Sequence, residues 1–504
     1  MIELSSLLWL SMLIPLAACV ACVLLPTANN LRDSLTFVAT LVTFACVLGI
    51  ASSVSGVNET RIDLIAFAPG LSLAFAFEPL GILFALVASG LWIVTHVYGV
   101  GYMRGNDEKK HGRFFACFAF AIFAAIGIAF SANLLTLFLF YELLTVSTYP
   151  LVAHKETEDA KRGTRTYLAI LMGTSIFFLL TAIAWTYSLT GTLEFTAGGI
   201  LADTGSNGFM AVLLALYAFG IGKAALMPFH RWLPSAMVAP TPVSALLHAV
   251  AVVKAGVFSM LKVGVYVFGI DTLATTGASS WLMWLAAFSI IVASLVAMTK
   301  DNLKARLAYS TVSQLSYITL GVALATSMGV IGGGVHIVTH AFGKITLFMC
   351  AGAIYVATHK TEISQMRGLA RVMPFTFIAF GIGALSIIGL PPLAGSWSKW
   401  ALMVGAADAE QQIMIGVLML SSLLNVAYLM PVFVRGFYAP ASGRGSRDIN
   451  ADLPWRERLA EAPLFCVLPP CLTAVGCLIL FFYSGDIAAA LEVITETASS
   501  DAAQ

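Results

Sequence analysis

Apolar runs of bilayer length, separated by short polar breaks, recur about fourteen times along this chain and leave little room for anything else. They lie at about 4–25 (span 1), 35–53 (2), 72–98 (3), 114–131 (4), 133–153 (5), 166–189 (6), 208–229 (7), 242–268 (8), 278–298 (9), 305–326 (10), 328–357 (11), 374–405 (12), 411–434 (13) and 463–484 (14). No large soluble domain fits between them, and the longest connection, 435–462, is polar and basic. Only 11% of the 504 residues are charged, against about 25% in a soluble domain. The expectation is an all-α integral membrane protein with about fourteen transmembrane helices. A formal net charge of +1 offers no basis for binding nucleic acid. The first apolar run has no basic stretch before it, so it is expected to stay as a span and not to be cleaved as a signal.

The basic residues test this map. Twenty-one of the 27 Lys and Arg fall on the connections after spans 1, 3, 5, 7, 9, 11 and 13, all on one side of the membrane. The opposite side holds only Arg61. By the positive-inside rule the crowded side is cytoplasmic and both termini face outward.

Five lysines remain, and all fall inside spans: Lys223, Lys254, Lys262, Lys344 and Lys399. Span 5, "LLTLFLFYELLTVSTYPLV", adds Glu142. Lys262, near the outer end of span 8, can snorkel to the interface. Glu78 opens span 3 and is expected at the outer interface. That leaves Glu142 as the carboxylate at mid-depth. Each deep charge costs roughly 2.5–3.5 kcal/mol even on lenient insertion scales, so these groups must pair, neutralise or line a wet path.

Helix breaks form a second pattern. Span 7 ends in "GKAALMPFHRWLP", span 8 opens with "APTPVSALLH", and span 12 contains "GLPPLAG". Prolines free backbone groups, and broken helices at membrane depth line protein or water. A lysine lies near a break in span 7 and again in span 12. Spans 4–8 and 9–13 are five-helix blocks that start on opposite sides, which makes them inverted repeats of the transporter kind. The resulting division is an N-terminal three-helix segment (1–113), a first unit (114–270), a second, inverted unit (271–437), and a last loop, span and short outer tail (438–504).

Several residues are candidates for carrying protons. His336, His340 and Lys344 recur every four residues in span 11 and turn about 40° at each step, so they share one stripe. Two imidazoles and an amine in register make a proton wire; the plainer alternative is a row of helix–helix hydrogen bonds. His248 and Lys254 are six residues apart and point to different faces of a regular helix. Lys399 follows the span 12 break. Glu142 and Lys223 are opposite charges in the same block, expected within direct or single-water contact. They form either a switch or a static ion pair. His96, His111, His154, His230 and His359 fall at the cytoplasmic ends and are expected as surface groups. The eight Cys, including the Cys19–Cys22 CxxC inside span 1, are expected as packing residues. No metal site, P-loop or dinucleotide fingerprint is expected, and no cofactor in this chain.

Four segments carry a resemblance: "IGKAALMPFHRWLPSAMVAPTPVSALLHAVAVVKAGV", "DNLKARLAYSTVSQLSYITLG", "HIVTHAFGKITLF" and "GLPPLAGSWSKW". Over about 72–437 the chain resembles the antiporter-like subunits of respiratory complex I and of Mrp-type cation/proton antiporters. The resemblance implies fourteen helices, two inverted units and a polar axis along mid-membrane. It implies proton-translocating roles for Glu142, Lys223, His248, Lys254, His336, His340, Lys344 and Lys399. Ending about twenty residues after span 14, the chain is expected to lack a long lateral helix and resembles the shorter members, and the wording "YELLTVSTYPLVAHK" around Glu142 is most similar to the Mrp D-type subunit. The expected function is proton movement in exchange for Na⁺ or another monovalent cation, within a hetero-oligomer of the bacterial cytoplasmic membrane. Alternatives are a membrane-arm subunit of a complex I-like NADH:quinone oxidoreductase, a subunit of an inorganic-carbon uptake complex, and, from another class, a structural scaffold.

Overall fold

A computed structural model describes residues 3–54, 61–202, 207–438 and 459–501 of the chain. Every expected span meets helix at its position, and the fold is all-α and membrane-spanning. Among the described residues, ten helical stretches are long and apolar enough to cross a bilayer by themselves. The remaining spans fall short for reasons that matter below. Spans 7 and 12 are broken, span 8 is interrupted, and span 10 (Leu303–Ala323) is diluted by hydroxyl side chains such as Ser310, Thr311 and Ser313. Arg444, Arg447, Arg456 and Arg458, part of the expected basic side, lie outside the described residues.

The elements that bear charge are the buried ones. In span 11 (Ser327–Thr358), 94% of the apolar window is buried inside the protein, against 39% in spans 1 and 2 and 33% in span 13. A helix buried by other helices can carry ionisable groups that a lipid-facing helix cannot. Spans 10 and 11 therefore stand at the centre, packed against each other and against the helix Val252–Lys262 of span 8.

Four expectations need correction. Span 3 does not begin at 72. Leu71–Phe75 is a strand, paired antiparallel with Ile62–Ala68 around the Pro69–Gly70 turn, where Gly70 has φ +71°. The helix starts at Pro79 and runs to Gly105. A short apolar run reads alike as strand or helix, and the Pro-Gly turn is what decides. In span 8 the prolines begin the helix instead of breaking it: Pro242 occupies its first turn, where a missing N–H costs nothing. The irregularity comes later, as a π turn over Leu246–Val250. The helix of span 14 does not stop near 484 but continues from Leu464 to Asp501, with Leu491 against Gly334 of span 11. Finally, His96 and His154 are not surface groups: they are 3% and 5% exposed.

The two true breaks have different shapes. Span 7 is helical over Asn207–Gly220, then gives way at Ile221 to a tight turn at Gly222–Ala224, with Ala225 at φ +54°. The break thus falls at Lys223 itself, ahead of Pro228. Span 12 is helical over Pro374–Ile388, opens at Gly389 (φ +90°), and resumes at Gly395–Asp408.

A buried file of lysines and histidines

Breaking span 7 exposes backbone groups, and specific side chains satisfy them. The Trp232 indole donates to the Gly222 carbonyl at 2.9 Å, and the Lys223 N–H donates to the Tyr141 hydroxyl at 3.0 Å. An orphaned buried backbone group would cost about 1–3 kcal/mol. The turn is held from the other side by span 8. A Cβ built on Gly256 would lie 2.3 Å from the Lys223 carbonyl carbon and the Ala224 nitrogen, so only glycine lets the two backbones meet there.

Lys223 is fully buried. Its ammonium donates to the Tyr141 carbonyl at 2.7 Å and to the Thr145 hydroxyl at 2.6 Å, with the Tyr141 ring 3.1 Å away. All three contacts lie on span 5, the helix of Glu142. The Glu142 carboxylate, however, makes no direct ion pair with Lys223, and both its oxygens are buried without a hydrogen-bond partner. Of the expected direct or single-water contact, the direct form is therefore absent. Backbone and hydroxyl oxygens one residue before and three residues after Glu142 take its place.

Span 8 carries the next member. Lys254 is fully buried, and its Nζ lies 2.7 Å from His340 Nδ1 on span 11. This contact joins the first unit to the second. His248 sits on the π turn, and its side chain lies outside the described residues.

Along span 11 the His336 and His340 rings are 5.6 Å apart, centroid to centroid. His336 stacks on Tyr317 at 5.4 Å and 15°, and its Nδ1 lies 2.9 Å from Ser398 Oγ at the resumption of span 12. Its Nε2 is buried with no partner. Lys399, the next residue, donates to the Ile388 carbonyl at 2.8 Å and to Ser422 at 3.0 Å, with its ammonium 5.2 Å from the Tyr317 ring. Lys344 leaves the file. It donates to Ser310 at 2.6 Å, and Ser310 in turn meets the Tyr428 hydroxyl at 2.8 Å. The spatial order is thus Lys254, His340, His336, Lys399, with Lys344 on a branch.

Sequence reasoning missed the oxygens that receive these ammonium groups: Tyr141, Thr145, Ser310, Ser398 and Ser422. It also missed an ion pair at the outer ends of spans 3 and 8. Glu78 forms an ion pair with Lys262 at 2.6 Å, with the side chains 12% and 2% exposed. A Glu beside a span-opening proline and a Lys near a span end both read as interfacial, and only their convergence reveals the pair.

Comparison with known proteins gives a consistent picture. Residues 131–425 match the model of the transmembrane domain of NADH:quinone oxidoreductase and Mrp antiporter subunits. The chain is 30% identical to NADH-quinone oxidoreductase subunit N of Desulforudis audaxviator, over 95% of this chain and 96% of that one. It is 31% identical to NAD(P)H-quinone oxidoreductase chain 5 of a Synechocystis species over 65% of its own length, and spans about half of that longer relative (49%). Among solved structures it is similar to a chain of the Mrp complex from a Dietzia species, at 25% identity and TM-score 0.79. That match covers 98% of this chain and 52% of the other.

Proposed function

Because this chain belongs to the NADH:quinone oxidoreductase/Mrp antiporter transmembrane family, and is thus a membrane subunit of that kind of assembly, we propose that it translocates protons along its buried Lys–His file. The observation that carries this reading is the 2.7 Å contact between Lys254 and His340, which links ionisable groups of the two units inside a region closed to solvent. A static scaffold has no need of four buried lysines that each end on neutral or imidazole acceptors. Buried charges of that kind are costly, and replacing them with packed apolar residues is often stabilising.

In this mechanism a proton loads Lys223 and passes to Lys254. It crosses to His340 and His336 and reaches Lys399 beside Ser398. Each imidazole can take a proton on one nitrogen and give one up from the other. Glu142 acts as the gate. Swung toward Lys223, its carboxylate attracts the ammonium and its proton; swung away, it leaves Lys223 to the Tyr141 carbonyl and Thr145 alone. Its unpartnered oxygens support a mobile role.

Two assemblies fit. The Mrp reading, exchange of protons for Na⁺ or another monovalent cation by a D-like subunit, is supported by the likeness to the Dietzia Mrp complex. The complex I-like reading is supported by the end-to-end likeness to a subunit N. What copurifies separates them: flavin- and iron–sulfur-bearing subunits mean an oxidoreductase, and only small membrane proteins mean an antiporter. We place the chain in a bacterial cytoplasmic membrane with both termini outside. Glu142→Gln tests the gate: coupled proton movement in vesicles is largely lost while the subunits still assemble. Full activity in that variant would sink the proposal.

A further inference from the structure

We propose that Glu78 and Lys262 form a further proton-exchange station, which connects the file to the side of the membrane that is poor in basic residues. The inference rests on the proton-translocation reading above. Lys262 lies on the helix that carries Lys254, eight residues and about 12 Å further along. Ser259 stands between them, fully buried, one turn from Lys262.

The pair is built, not incidental. Lys262 Nζ is 2.6 Å from Glu78 Oε1 and donates to the Ser131 carbonyl at 2.6 Å. The ring of Phe195 stands 4.3 Å from the ammonium and that of Phe258 5.5 Å. Lys262 is buried, while Glu78 keeps an exposed edge. Beyond Ser131 the polar groups continue outward. Asn133 Nδ2 donates to the Ser72 carbonyl at 2.9 Å and approaches Glu194 Oε1 at 3.3 Å. Glu194 pairs with Arg61 at 2.5 Å, and Arg61 also holds Asp63 at 2.8 Å. The side chains of Arg61 and Asp63 are 38% and 55% exposed. Arg61 is the one basic residue that the sequence places on this side of the membrane. Apart from the partners themselves, the charged groups on this path are therefore Arg61, Asp63 and Glu194.

The step conserves the proton. The Lys262 ammonium gives its proton to the Glu78 carboxylate, leaving a neutral amine and a carboxylic acid. The acid releases the proton toward the exposed side, and the amine is reloaded from the file at Lys254. An ion pair that served only to tie span 3 to span 8 would need no such exchange.

Arginine separates the two roles, since its guanidinium keeps the ion pair but does not give up its proton. In vesicles holding the whole complex, Lys262→Arg is expected to assemble normally. Proton translocation per complex should fall at least about a hundredfold, the low end of what positioned proton transfer contributes. A wild-type rate in Lys262→Arg overturns the proposal. If that variant does not assemble, Glu78→Gln combined with Lys262→Met removes both charges together, and a wild-type rate there overturns it equally. Loss of transport in Lys262→Arg, or in the double variant with assembly intact, supports it. Failure of the underlying reading would look different: no proton movement by the wild-type complex, or none of it lost in Glu142→Gln.

Discussion

Lys223 depends on oxygens that carry no charge. Thr145 supplies one at 2.6 Å and the Tyr141 carbonyl another at 2.7 Å. Hydrogen bonds to an ammonium group are worth about 1.5–3 kcal/mol each. Thr145→Val keeps the shape and removes the hydroxyl. We expect it to lower proton flux several-fold at unchanged assembly, as measured by dye quenching in vesicles normalised to subunit content. An unchanged flux would mean that the carbonyl alone suffices. The lysines were legible from the sequence because ammonium groups are rare at that depth. The hydroxyls were not, because a helix tolerates them anywhere by turning them on its own carbonyls. Thr148 and Thr311 do this, bonding to Leu144 and Leu307. Nothing in the letter T distinguishes Thr145 from those two.

Among the elements, breaks and corners decide what moves. The sequence located the irregular stretches of spans 7 and 12 through their prolines, but it placed the span 7 break beyond Lys223. The turn lies at Lys223 because Tyr141 and Trp232 reach across to satisfy the backbone there, and these partners come from other parts of the chain. The corner after span 5 gives a pH test. His154 packs edge-on to Phe114, and burial, aided by Arg113, pushes its imidazole down to about 4. The unfolded chain, with His154 near the ordinary 6.5, therefore takes up the proton first. The stability that the neutral ring contributes is present above pH 6.5 and is lost as pH falls toward 4. Glu156, held down to about 2 by Lys110 and Arg113, acts with the same sign at lower pH. The thermal midpoint of the purified protein should fall between pH 7 and pH 5, and less steeply in His154→Gln. Parallel slopes would show that His154 does not titrate differentially.

At the scale of the molecule the question is whether the two units act as one. They meet at Lys254 and His340, each 1% exposed or less. If this contact couples them, a double-mutant cycle with Lys254→Gln and His340→Gln should give an interaction energy of about 1–2 kcal/mol in unfolding. Either single variant should also stop transport across the file. Additivity within about 0.5 kcal/mol would mean that the contact is passive.

Class, span order and the identity of the deep charges were set by the sequence alone. Apolar length and the scarcity of charge are properties of a line, and a bilayer reads them locally. Which charge meets which was decided only by the tertiary structure. Glu142 and Lys223, opposite in sign and in the same block, make no direct ion pair. Glu78 and Lys262, which the sequence assigned separately to the interface, stand 2.6 Å apart. Contact across helices depends on their rotation and tilt, which packing at glycines such as Gly256 sets, and no one-dimensional pattern records it.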